Sequence, residues 1–445
     1  MALDTLPTEL IEHITDYLDL ASFQSLRLTR SSLNQQTLHP FRERFFEQFT
    51  LKWNLPIFYK LLSISQHPYF NSVLQYLYID ATPVYAEAVW KLSKHLQDIS
   101  THNQFSQTQR YLTAEHGQVE KLHREVSEAD EAFRAHNRFW NETREDVNIL
   151  TTVFRNCHRL RHIRFSYSGL DKQYSKFGRK YCELSQLEMS RPAVRTLSAI
   201  AFSSIKPVSI SVCPTRKYGA VSIGRLETLS PHLSRFDDAF SNLTFLKMDL
   251  RDWRSREDGF EDPPGRVPFV VRFLAKCSNV RVLEIGCYSN LEGDVIFHHI
   301  AQNCEWQHLE ICKLGLFHVS NLEDLLVVLG RSKECLRQLV LEHVCLRDAE
   351  HGWADFLRGL ADGGFAALDS MLLKNVLEWD GAPVTVEDQA NAPLVEVNAL
   401  PEGMPGRVRP GDALAERLRV VAEKVVRASW GRAWFLAAVN YPFSR

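Results

Sequence analysis

Seven times this chain repeats one spacing of apolar residues, a gap of two followed by a gap of one. It runs Leu74, Leu77, Ile79, then Leu160, Ile163, Phe165, then Leu243, Leu246, Met248. It returns as Val280, Leu283, Ile285, as Trp306, Leu309, Ile311, as Leu336, Leu339, Leu341 and as Leu368, Met371, Leu373. The last two residues of each set alternate with their neighbours at the period of a strand. The middle residues of the final five sets stand 37, 26, 30 and 32 residues apart. Apolar segments at helical spacing, 269–276, 295–302, 322–329 and 353–360, precede four of the sets. A small corner often lies between helix and strand: Asn156-Cys157, Lys276-Cys277, Asn303-Cys304, Glu334-Cys335. One helix and one strand of this size cannot bury their own apolar face, so such units must stack.

This alternation is similar to leucine-rich repeats. Three positions after the last apolar residue, where those repeats usually carry Asn or Cys, stand Tyr288, Leu314, Val344 and Val376. The side-chain ladder that sets regular curvature is therefore missing. The expected fold is of α+β or α/β class, an irregular leucine-rich-repeat-like helix–strand solenoid over residues 51–379. A generic α/β fold with a parallel sheet satisfies the same pattern.

Two stretches interrupt the repeats. Residues 80–148 hold Tyr85, Val89, Leu92, Leu96 and Ile99, then a polar run over 100–109. Val119, Leu122, Val126, Ala129, Phe133, His136, Trp140, Val147 and Leu150 follow in a three-four alternation with a polar break at Thr143. That predicts a helical hairpin packed on the repeats, or a self-associating one. Residues 166–241 are rich in Tyr, Arg and Lys, side chains of which the aromatic and arginine types anchor interfaces. Tyr167, Tyr174, Arg179 and Tyr181 are the candidate partner surface there. The span 380–412, with five prolines and four glycines, reads as a long loop. Residues 413–445 open with an amphipathic helix carrying Leu414, Leu418, Val421 and Val425. With Trp430, Trp434 and Phe435 it is expected to close the far end.

The first fifty residues have a different pattern. Leu10, Ile11, Ile14, Tyr17 and Leu18 form one broad apolar helix face. Pro7 suits a first helical turn, and Asp19 suits the cap of a second helix with Leu20, Phe23 and Leu26. Ser31 starts a third with Leu33, which Pro40 ends or kinks, and Phe41, Phe45, Phe46 and Phe49 follow. A module this small cannot enclose so many large side chains, so another surface must cover some of them.

Residues 6–50 resemble the F-box, a three-helix module. The matching residues are Leu6-Pro7, Glu9-Leu10, Ile14, Tyr17-Leu18, Leu20, Phe23, Leu26 and Leu28, then Arg30-Ser31-Ser32. The third helix departs from the pattern. Many F-boxes carry tryptophans there, where this chain has Leu33 and Phe41 or Phe45, and its first Trp is Trp53. The resemblance implies that the first helices bind the Skp adaptor of a cullin-RING ubiquitin ligase and that the following domain holds a protein substrate. The adaptor-contact candidates it transfers are Leu6, Pro7, Leu10, Ile14, Leu18, Leu20, Phe23, Leu26 and Leu28. The alternative is a non-catalytic interaction scaffold without a ubiquitin-ligase role.

Charge and chemistry exclude other classes. A net charge of −2 over 445 residues gives no footprint for nucleic acid or an anionic membrane. No apolar run is long enough to span a bilayer, and residues 1–4 do not open like a signal peptide. Nine scattered cysteines without C-x-x-C then read as reduced thiols, in the cytoplasm, the nucleus or both. No nucleotide, hydrolase or zinc motif is present. His298, His299, Cys304 and His308 are the nearest approach to a metal cluster, but adjacent histidines on a helix diverge by about 100°. Glu257, Asp258, Glu261 and Asp262 are acids in a Pro/Gly loop. The reading is a non-enzymatic binding protein with no cofactor and no metal.

Overall fold

The computed structural model describes residues 6–82, 112–167, 179–212, 220–251, 266–288, 293–378, 384–386, 394–398 and 410–427. Pro7 stands just before α1 (Thr8–Thr15), as its N-cap. The Asp19 carboxylate accepts a hydrogen bond from the Ser22 amide at 2.7 Å and caps α2 (Leu20–Thr29), as expected. α3 (Ser31–Gln36) stops at Thr37, whose hydroxyl donates to the Leu33 carbonyl at 2.6 Å. Pro40 does not end this helix. It lies in the first turn of a fourth, α4 (Leu38–Phe46), where its missing N–H costs nothing.

β1 (Gln48–Lys52) follows at once, and Asn54 caps α5 (Leu55–Gln66). The expected domain boundary between residues 50 and 51 thus falls inside a strand. Next come β2 (Tyr76–Asp80), α6 (Leu112–Thr143), α7 (Glu145–Asn156), β3 (His162–Ser166), α8 (Arg179–Ala201) and β4 (Ser209–Val212). β5 (Val221–Ser222), α9 (Ile223–Leu226), a 3-10 helix (Glu227–Arg235) and α10 (Phe236–Ala239) lead to β6 (Phe245–Arg251). Then α11 (Phe269–Leu274), β7 (Val282–Tyr288), α12 (Gly293–Asn303), β8 (Ile311–Gly315) and β9 (His318–Val319) follow. α13 (Leu322–Gly330), β10 (Gln338–Glu342), β11 (Cys345–Leu346), α14 (Trp353–Asp362) and β12 (Ser370–Lys374) continue the alternation. β13 (Val384–Val386), β14 (Leu394–Asn398), α15 (Pro410–Lys424) and β15 (Val425–Arg427) complete the described chain.

The main sheet runs β1-β2-β3-β4-β6-β7-β8-β10-β12-β14, with β5 attached to β6. All its pairs are parallel except the last, β14 against β12. The molecule is of mixed α/β class with a mostly parallel sheet. Helices touch in chain order, α5 to α7 to α8 and α11 to α12 to α13 to α14 to α15, and so form a layer on one face. The strand residues that point into that layer are buried, among them Leu77, Ile79, Ile163, Phe165, Leu246, Met248, Leu339, Leu341, Met371 and Leu373. Their neighbours on the other face are mostly half-buried.

Several expectations need correction. In β8 the inward residues are Cys312 and Leu314, preceded by Leu309, whereas Ile311 is only half-buried. The repeat there was read three residues early because a cysteine holds a leucine's place. The stretch 166–241 is not wholly an insertion. It contains the complete unit of α8 and β4, whose buried Pro207, Ile210 and Val212 keep the spacing with a proline in the first position. The three-four stripe after residue 119 is not one helix. Arg144, with a left-handed φ of 52°, separates α6 from α7, so Val147 and Leu150 belong to the helix layer. Residues 85–99, the first arm of the expected hairpin, lie outside the described residues. The span 380–412 includes β14, which pairs with β12. The terminal helix starts at Pro410 and stops before Val425, which enters β15, and Trp430, Trp434 and Phe435 lie outside the described residues.

Three successive units share one corner. Leu316, His343 and Asn375, each the first residue after its strand, have φ of 58°, 56° and 51°. The next residues, Phe317, Val344 and Val376, are buried. Backbone bonds cross-link the corners, with the Leu316 amide donating to the Glu342 carbonyl at 2.9 Å and the His343 amide to the Lys374 carbonyl at 2.8 Å. The main chain therefore supplies a ladder without an Asn or Cys side chain. A left-handed conformation costs roughly 1–2 kcal/mol in most side-chain-bearing residues and less in Asn. Asn375→Val is expected to lower stability by about that amount, and Asn375→Gly to leave it near native. Urea unfolding midpoints of the two variants test the corner.

Candidate functional site: an apolar helix face and an open sheet face

The amino-terminal helices close around an aromatic core. Phe23 is fully buried and meets Phe41 edge-on at 5.3 Å and Phe45 at 5.7 Å. The Arg27 guanidinium lies 4.0 Å from the Phe41 ring centroid. Ile11 and Leu33 are also buried. Arg44 Nη1 donates to the Thr15 carbonyl at 2.7 Å, joining α4 to the end of α1. Phe46 stacks on Phe70 at 4.1 Å, which fixes this module to the segment before β2.

What remains outside is apolar. Leu10 is 50% exposed, Ile14 38%, Tyr17 78%, Leu20 45% and Leu28 87%. These are five of the eleven exposed large hydrophobic side chains among the described residues, concentrated in one short stretch. Leu10 and Ile14 stand at i and i+4 on one side of α1, and Tyr17 follows in the turn after its end. The residues expected to contact an adaptor therefore divide. Leu10, Ile14, Leu20 and Leu28 are exposed, and so is Pro7. Leu6, Leu18 and Leu26 are half-buried. Phe23 is a core residue, removed from the surface by the Phe41 and Phe45 rings. Tyr17, not among the transferred candidates, joins the stripe.

The second surface is the sheet face opposite the helix layer. Register aligns its residues in rows across the strands. One row reads Tyr76, His162, Ser209, Phe245, Val282, Ile311. The next reads Tyr78, Arg164, Ser211, Lys247, Glu284, Lys313. Tyr76 and His162 stack at 4.6 Å with an interplanar angle of 11°. Burial, with the Arg161 charge behind it, holds the His162 imidazole below its ordinary value. Lys313 Nζ donates to Glu284 Oε1 at 2.9 Å, and Lys247 Nζ sits 3.0 Å from Oε2. Farther on, Lys374 Nζ donates to Glu342 Oε1 at 2.7 Å. The residues that alternate with the buried apolar ones in each strand are the sequence signal for this surface.

Of the expected partner surface at 166–241, the one described side chain, Tyr167, is turned away from solvent. Tyr167 is 2% exposed, and its burial pushes the phenol up. It follows β3 and turns inward, continuing the alternation of Ile163 and Phe165. Tyr174 lies outside the described residues. Arg179 and Tyr181 are in the first turn of α8, and their side chains are outside the described set. Cys304 is buried and its thiol is pushed up to about 12, while His298 Nδ1 lies 2.9 Å from Asp324 Oδ2, so the two do not converge. Among the described residues no group of three His, Cys, Asp or Glu side chains can hold a metal. The acids at 257–262 lie outside those residues. No described helix is long and apolar enough to cross a membrane.

Two outcomes follow. Phe23→Ala is expected to cost about 3–5 kcal/mol within the helical module, whereas Leu28→Asp leaves it intact. Hydrogen exchange over residues 8–46 distinguishes them. The second concerns Glu284. Burial alone would raise its carboxyl, but the hydrogen bonds and charges of Lys313 and Lys247 outweigh burial and hold it below its ordinary 4.5. A carboxyl held down adds stability above its unfolded value and loses it as pH falls through the folded one. Glu284→Gln is therefore expected to lower the urea midpoint at neutral pH, and its difference from the native chain to shrink as the pH falls below 4.5. No protein-family model matches the chain, and no curated protein matches it.

Proposed function

We propose that this chain is the substrate-recognition subunit of a Skp–cullin–F-box ubiquitin ligase. Residues 6–50 act as the F-box, and the parallel-sheet domain, read as a leucine-rich-repeat-like solenoid, holds a protein substrate. The observation that carries the reading is the apolar stripe of Leu10, Ile14 and Tyr17 with Leu20 and Leu28, exposed beside a well-packed aromatic core. A monomer gains nothing from such a stripe. Covering it on a partner stabilises the complex by roughly 1.5–3 kcal/mol for each large side chain fully buried. The adaptor contacts assigned are Leu10, Ile14, Leu20 and Leu28, flanked by Leu6, Pro7, Leu18 and Leu26. Phe23 serves the module's own core instead.

Continuity supports the division of labour. α4 passes into β1 through Glu47 alone, and Phe46 packs on Phe70. A short, packed junction holds an adaptor and a substrate at a set separation, which a flexible linker would not. Replacing both Leu10 and Ile14 by Asp in the full chain is expected to abolish capture by purified Skp adaptor without moving the thermal unfolding midpoint. Retained capture by the folded double variant would refute the assignment of this face. Ubiquitylation of a bound partner in the reconstituted complex separates a ligase receptor from a scaffold that merely binds the adaptor.

A further inference from the structure

β1 stands at the outer margin of the main sheet and is paired on one side only. In its parallel ladder with β2 the Glu47 carbonyl accepts from the Tyr76 amide at 3.1 Å, which sets the alternation along the strand. Phe49 and Leu51 therefore turn their amides and carbonyls toward β2, and Gln48, Thr50 and Lys52 turn theirs outward. Among the described residues, no group bonds the Gln48 or Thr50 amide or carbonyl on that outer side. The Lys52 carbonyl meets the Asn54 amide of its own chain at 2.7 Å. The amino-terminal helices anchor through Phe46 on Phe70 rather than along this strand.

An open edge is a template for another strand, and folded proteins blunt it with proline, a bulge or charges directed inward. β1 has none of these. Its five residues pair with β2 without a break, it holds no proline, and its one charged side chain, Lys52, is exposed at its last position.

The edge also complements a second copy of itself. Antiparallel pairing about a two-fold axis at Thr50 sets Thr50 against the partner's Thr50, and Gln48 against the partner's Lys52 at both ends. Threonines pair well across strands, and a glutamine carbonyl accepts from a lysine ammonium. The half-buried Phe49 falls opposite the partner's Leu51. The two Lys52 residues stay about 14 Å apart, four positions along the strand. Moving the axis to Phe49 or Leu51 leaves two residues of each strand unpaired.

We infer that two copies of this chain join edge to edge through β1, antiparallel about Thr50, so that their sheets become one. This pairing does not depend on the receptor reading.

Sedimentation equilibrium of the full chain, without adaptor, is the test. A monomer–dimer equilibrium is expected between about 1 and 50 µM. Thr50→Lys sets two ammonium groups face to face at the axis and should weaken the dimer at least about tenfold. Thr50→Val keeps a β-branched side chain there and should stay within about twofold of native. Gln48→Lys opposes the partner's Lys52 and should weaken the dimer, whereas Gln48→Glu pairs with that ammonium and should tighten it. Circular dichroism checks that each variant is folded, and if Thr50→Lys unfolds, the opposite signs of the two Gln48 variants decide. A monomer at every concentration, or a dimer indifferent to Thr50→Lys and to both Gln48 variants, overturns the inference. A dimer lost in Leu10→Asp but kept in Thr50→Lys puts the contact on the exposed helix face and overturns it as well.

Discussion

Parallel pairing between consecutive strands is the interaction on which the rest of this molecule depends. Each strand finds its hydrogen-bond partners only on its neighbours, and each helix finds an apolar floor only when the strands lie side by side. Inward residues such as Leu339 and Met371 sit opposite each other in register and share one buried layer. A slip of one residue would turn that layer to solvent, so the apolar alternation and the pairing register enforce each other. The corner after each of the last three strands belongs to the same scheme. The chain accepts a left-handed residue at Leu316, His343 and Asn375, and in return the next side chain is buried and the main-chain ladder continues.

A stack of parallel strands has two ends, and this chain treats them differently. At one end the four short helices run directly into β1, and their aromatic core reaches the sheet domain through Phe46 and Phe70. At the other, β14 reverses direction and pairs antiparallel with β12, while Leu414 and Leu418 of α15 are buried where that helix packs on α14. The burial of Phe23 and the exposure of Leu10, Ile14 and Leu28 follow from the size of the amino-terminal module. Four helices of six to ten residues enclose one cluster of phenylalanines and leave no interior for a second.

The helix face and the sheet face are built on different physics. The helix face is an apolar stripe, whose gain on association comes from area removed from water. The sheet face is half-buried and mixed, with charged side chains aligned across its strands. Lys247, Glu284 and Lys313 show how that row is held in place. The carboxylate takes a lysine on each oxygen, and the three charges link three neighbouring strands. Arg164, two strands away from Lys247, is exposed.

Periodicity alone determined much of this. The repeated spacing located β2, β3, β6, β7, β10 and β12, because alternate burial in a strand leaves a two-residue signature that no neighbour can alter. Asp19 and the stripe of Leu10 and Ile14 were legible for the same local reason. The sequence did not reveal β4, where Pro207 replaces the first leucine, nor the register of β8, where Cys312 replaces the second. In both, burial by the neighbouring unit admits any small apolar group, so the pattern tolerates a substitution that erases the signal. The strand nature of residues 48–52 and 394–398 was decided by pairing with β2 and β12, contacts distant in sequence. Tertiary packing also divided Phe23 from Leu10 and turned Tyr167 inward. Helical and strand periods say which residues share a face, but only the assembled neighbours decide which of those faces meets water.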